Sequence, residues 1–203
     1  MGDQEKSELL NYNAFEMWEY EPFFYVGEHA KPWISFKESF YRAGEVIIKN
    51  LAAGHGFPDL EGVAAVFLFR HYLELALKTL VMRGRFLERA DKNAVIENVK
   101  QVKRIHDLAE LWQLALADAK PKILEYWDSY DIPFVEKCIA EFHAHDEKGF
   151  ALRYPREGGE HFDYDFGCFD KAMEHVYQVL EGLTGCLTEC YRQNNEWEAL
   201  DDY

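Results

Sequence analysis

The sequence is short of basic charge. Thirty-seven Asp and Glu residues face 22 Lys and Arg, a formal net charge of −15. A field of that sign repels nucleic acid and anionic lipid at long range, so broad DNA binding is not expected. Long hydrophobic runs are also missing. Nothing approaches the roughly 18 apolar residues of a membrane span. The opening residues Met1 to Ser7 are polar and acidic, unlike a secretory signal, and Lys6 stands where a myristoylation pattern needs Ser or Thr. The four cysteines, Cys138, Cys168, Cys186 and Cys190, form no Cys-x-x-Cys pair. Reduced thiols in or near a core are expected, in a cytoplasmic setting. HExxH, the Walker loop, GxGxxG and GxSxG are absent. His143 and His145 stand two apart, which sends them to different sides of a helix. No metal and no cofactor are therefore expected.

Apolar residues are plentiful. They make up 48% of the 203 residues, and aromatics 16%, enough for a core without disulfides or metal. Residues 1–32 are aromatic-rich and broken by Pro22 and Pro32, and read as an irregular segment packing on the body. From Trp33 to Ala53, Ile34, Phe36, Phe40, Tyr41, Val46, Ile47 and Leu51 recur at helical spacing. Gly54-His55-Gly56-Phe57-Pro58 ends that helix. Asp59 then reads as the N-cap of a long central helix ending at Gly84. Val63, Val66, Phe67, Arg70, Leu73, Leu77, Leu80 and Val81 should trace its buried face. Further helices are predicted near 94–103, from His106-Asp107 onward, over 134–145 and over 169–192, with Pro121 and Pro133 as punctuation. A long loop spans Asp146 to Asp165, and 194–203 is an acidic tail. The whole reads as an all-α bundle of four to six helices over residues 33–193.

Three clusters carry candidate chemistry. Arg70, Glu74 and Lys78 stand at i, i+4 and i+8 on the central helix, an opposite-charge ladder. Arg70 falls inside the apolar stripe, so it must be paired or line a cleft. The ladder reads either as a brace of the bundle or as a polar cleft wall. His106 and Asp107 open a helix; Asp107 suits the positive dipole end, and His106 is a switchable cap or a site residue. Arg153, Tyr154, Arg156 and His161 lie in the long loop. An Arg can hold phosphate bidentately and a His can move a proton, which fits metal-independent RNA cleavage. Loop packing by Tyr154 and Pro155, with solvated charges, is the other reading.

In this order the clusters resemble the HEPN superfamily. Glu74 and Lys78 on a long helix, His106-Asp107-Leu108 with Leu111 opening a later one, and Arg153-Tyr154-Pro155 before the last helix carry the resemblance, over roughly residues 35–192. The resemblance implies a HEPN-like helical bundle, usually a homodimer. It also implies that Arg156 and His161, with four residues between them, match the spacing of the family's catalytic pair. Gly158 and Gly159 interrupt the helix on which that pair normally lies. Many branches of the family are non-catalytic binding modules. Two functions are therefore expected. One is a non-catalytic module that binds a partner protein or a small anionic or nucleotide ligand near Arg70, Glu74, Lys78, His106, Asp107, Arg153 and Tyr154, in a setting such as toxin–antitoxin or defence. The other is an endoribonuclease using Arg156 and His161.

Overall fold

The computed structural model describes residues 32–88, 100–123, 131–147, 149 and 164–193. Five helices are named among them: α1 (Pro32–Ala52), α2 (Pro58–Glu88), α3 (Leu108–Ile123), α4 (Asp131–His145) and α5 (Phe166–Gln193). A single helical turn covers 100–103, and no strand occurs among the described residues. The fold is an all-α bundle. The aromatic segment 1–31 and the acidic tail lie outside the described residues.

α1 stops where the glycines predict, and the reason is visible. The His55 N–H bonds the Asn50 carbonyl at 2.9 Å and the Gly54 N–H bonds the Leu51 carbonyl at 3.0 Å. This is the Schellman closure, and Gly54 supplies its left-handed residue at φ 78°. The start of α2 differs from the expectation. Pro58, not Asp59, opens the helix, and the Phe57 carbonyl accepts the Glu61 N–H at 2.9 Å. Proline lacks an N–H and has φ set for the first helical position, so Asp59 moves into the first turn beside the positive helix end.

Gly84 does not end α2, which runs on to Glu88. A Cβ at Gly84 would lie 2.9 Å from Asp118 Cβ and 3.1 Å from its carbonyl oxygen. The glycine serves close approach of α3, and Arg85 Nε then donates to Asp118 Oδ2 at 2.8 Å. Pro121 and Pro133 sit within α3 and α4 rather than between helices. The last helix begins earlier than expected. Asp165 accepts the Cys168 N–H on its carboxylate at 2.8 Å, the bond of an N-cap.

α2 packs against α1, α3 and α5, and α5 also touches α1, α3 and α4. Every residue from Tyr72 to Val81 is buried, so the middle of α2 has no solvent face. A helix enclosed this way is largely apolar all round, and the charged residues it does carry, Glu74 and Lys78, are buried with it. Leu73, Leu77 and Leu80 each contribute about 2 kcal/mol by leaving water. Val63, expected on the buried face, is exposed, because the first turns of α2 project beyond the core. On α1 the buried line is Lys37, Tyr41, Gly44, Ile48 and Leu51, and Phe36 and Val46 are exposed. Gly44 is small enough for the Phe69 ring to lie within 3.1–3.2 Å of its would-be Cβ.

All four cysteines are free thiols. Burial pushes the Cys138 thiol up to about 11.

Candidate functional site

The helical repeat sets Arg70, Glu74 and Lys78 on one line, and the bundle buries that line. The three residues are 2%, 3% and 2% exposed. Arg70 Nη1 donates to Glu74 Oε2 at 3.0 Å, and Lys78 Nζ donates to Glu74 Oε1 at 2.8 Å. Charges this deep need more partners than each other, and backbone carbonyls supply them. Arg70 Nη2 donates to the His106 carbonyl at 2.6 Å, and Arg70 Nε donates to the Asp146 carbonyl at 3.3 Å. The Asp146 carboxylate stands 3.5 Å from the same nitrogen. Lys78 Nζ donates to the Lys103 carbonyl at 3.0 Å. The ladder thus ties α2 to the turn before α3 and to the end of α4.

His106 completes the arrangement from outside. Its Nδ1 lies 2.9 Å from Glu74 Oε1. An ionised carboxylate only accepts, so Nδ1 carries the hydrogen. The His106 side chain is 48% exposed, whereas the Glu74 side chain it meets is 4% exposed. Burial alone would raise the Glu74 carboxyl. The Lys78 hydrogen bond and charge, with His106 and Arg70, outweigh burial and hold it below the usual carboxylate range.

Asp107 is the N-cap of α3. Its Oδ1 accepts the Glu110 N–H at 2.9 Å, and its carbonyl accepts the Leu111 N–H at 3.0 Å. His143 Nδ1 stands 3.3 Å from that same Oδ1, near enough for ion pairing when protonated but outside hydrogen-bond alignment. The oxygen is already directed at the Glu110 amide.

Five of the sequence-predicted site residues therefore come together: Arg70, Glu74, Lys78, His106 and Asp107. Arg153, Tyr154, Arg156 and His161 lie outside the described residues. Gly149, four residues before Arg153 in the chain, packs on the Arg70 guanidinium: a Cβ there would be 3.2 Å from Nη2. Its φ of 75° is a second reason for glycine. Sequence reasoning missed Asp146, Gly149 and the carbonyls of Lys103 and His106. A polar residue just past a helix end and a glycine after it were the only signals. No His, Cys, Asp and Glu group among the described residues could hold a metal ion. No helix among them is long and apolar enough to cross a membrane.

Fold and site together define a class, an all-α bundle braced by a buried charged ladder on its central helix. The chain matches no family model, no curated protein and no solved structure.

Proposed function

We propose that this chain is a non-catalytic HEPN-like helical module. In this reading it is a cytoplasmic homodimer that binds a partner protein or a small anionic or nucleotide ligand, in a setting such as toxin–antitoxin or defence. One observation carries the reading. Arg70, Glu74 and Lys78, two of them central to the family resemblance, spend their hydrogen-bonding capacity inside the chain, on one another and on three backbone carbonyls. Residues used this way hold a scaffold. Contact with a ligand then falls to the rim, where His106 is exposed and Asp107 partly so.

The net charge of −15 supports a small ligand or a protein over a long RNA. A second reading, metal-independent endoribonuclease, is favoured by the Arg156–His161 spacing and opposed by the intervening Gly158 and Gly159. In that reading Arg156 stabilises the charge on the phosphorus centre and His161 moves the proton.

Incubating the purified protein with varied RNAs in EDTA separates the two. The module reading expects intact RNA, thermal stabilisation by a ligand or capture of a partner, and a dimer by size-exclusion with light scattering. RNA cleavage that disappears in His161→Ala would replace it with the ribonuclease reading.

A further inference from the structure

The middle of α2 is enclosed on every side, but its first turns are open on one. Residues 62–69 carry no polar side chain. Ala65, Val66 and Phe69 are buried, yet Val63 is 52% exposed, Leu60 is 73% exposed and Ala64 is exposed as well. A helix that is apolar all round belongs inside a protein. α1 continues the same surface. Beside its buried line, Phe36, Phe40, Ala43 and Ile47 recur at helical spacing with no charged residue among them, and Val46 stands next to Ile47. The two strips adjoin, because the Phe40 ring meets the His71 ring of α2 edge-on with centroids 4.3 Å apart.

The result is an uncharged surface spanning α1 and α2 on a chain of net charge −15. Phe36, Val46, Phe57, Leu60 and Val63 are the large exposed apolar side chains among the described residues, and all of them lie on α1, on α2 or in the turn between the two. Together they leave on the order of 500 Å² of apolar side chain in water, toward the upper end for a monomer.

We propose that this α1–α2 face is a two-fold interface and that its occupant is a second copy of this chain. The inference rests on the homodimeric part of the module reading and gives that dimer its surface. Charge points to a copy rather than to another protein. Two chains of net charge −15 repel wherever their acidic surfaces meet, and this face brings no charge to the contact. Its α1 edge is balanced too. Arg42 pairs with Glu38 at 2.8 Å and with Glu45 at 3.0 Å, and Lys49 pairs with Glu45 at 2.7 Å. A different partner for so acidic a chain would be selected by basic charge, and the face offers it no carboxylate. Asp59 and Glu61, at the start of α2, are the nearest exception. A two-fold axis crossing α2 beside Val63 runs the two α2 helices antiparallel and sets those carboxylates at opposite ends of the contact. The area fits as well. With Ala43, Ala64 and the half-buried Phe40 and Ile47 added, the face approaches the ~800 Å² that each partner gives to a standard interface. Interfaces between like chains are also the more apolar kind.

Sedimentation velocity of the full chain, from about 1 to about 100 μM, tests the face. The wild type should be a dimer. Val63→Glu and Val63→Lys each set like charges against each other across the axis and leave the core intact. Each should weaken dimerisation by on the order of a hundredfold, with far-UV circular dichroism unchanged. Mixed in equal amounts, the two variants should recover a dimer containing one of each, which a folding defect would not allow. Lys137→Gln, an exposed change on α4 with the same charge step as Val63→Glu, should leave the dimer as it is. A dimer that persists in both Val63 variants overturns this face and leaves the homodimer of the module reading standing on another surface. Monomeric variants that fail to combine on mixing overturn the two-fold arrangement. A wild type that stays monomeric overturns both the face and the homodimeric part of the module reading, and leaves the face to a partner protein.

Discussion

On one flank of α2, Arg70, Glu74 and Lys78 are buried with their charges closed on each other and on backbone carbonyls. On the other flank, Tyr72 meets Tyr41 and Tyr177, and polar atoms lead outward. Tyr41 and Tyr177 stack with centroids 3.9 Å apart, and the Tyr177 hydroxyl donates to Glu38 at 2.9 Å. Lys37, 1% exposed, donates to Glu181 at 2.7 Å, and Glu181 is 28% exposed. Both flanks bury charge. The ladder has no route to water except through His106, whereas the Lys37 pair keeps one member wet. The difference teaches where a broken pair can be rescued by solvent and where it cannot.

The largest expected effect follows from that contrast. Arg70→Ala leaves Glu74 short of a partner and strands the His106 and Asp146 carbonyls. It should cost about 3–5 kcal/mol in urea unfolding. Lys37→Met removes a buried cation but frees Glu181 to hydrate, and should cost only about 1 kcal/mol. Equal losses would break the comparison.

Glycines sharpen it next. Gly84→Val drives a side chain into Asp118 at the α2–α3 contact and should cost about 1–3 kcal/mol. Gly185, exposed on α5 with nothing within 4 Å of its would-be Cβ, should gain about 0.5–1 kcal/mol on change to Ala. Thermal unfolding of the two variants reads the opposite signs.

The smallest effects separate the flanks by pH. The Glu74 carboxyl is held below its usual range. Its contribution is present above the unfolded value of about 4.3 and fades as pH falls through the lower folded value. Burial, with the Glu38 bond, raises the Tyr177 phenol to about 12. That contribution is complete below the unfolded value of about 10 and is lost as pH rises toward the folded one. Urea midpoints across pH should show an acid slope reduced by Glu74→Gln, the remainder coming from carboxyls such as Glu45 and Asp165 that are also held low, and an alkaline slope reduced by Tyr177→Phe.

The ladder was legible because its three members sit one turn apart on one helix. A brace was one of the two readings it allowed, and the sequence could not choose between them, because the ladder's acceptors come from Lys103, His106 and Asp146, which are 25, 36 and 76 residues from their donors. The tyrosine flank was less legible still. Tyr72 and Tyr177 find carboxylates 109 and 139 residues away, and Lys37 on α1 finds Glu181 144 residues away. Gly84 misled for a related reason. Punctuation and close packing use the same residue, and only the position of Asp118 tells them apart. The start of α3 was legible near His106-Asp107, but the cap is Asp107, which the sequence placed in the first turn, and not His106, because only the Asp107 carboxylate meets the Glu110 N–H. The all-α class followed from spacing that tertiary packing did not override.

The central claim is that α2 carries a closed, buried charge ladder acting as one unit. A double-mutant cycle between Arg70→Met and Glu74→Gln, followed by urea unfolding at neutral pH, tests it most directly. The account predicts a coupling of about 2 kcal/mol or more, as for partners in one buried network. A coupling below about 0.5 kcal/mol, the value of an exposed helical pair, would contradict it.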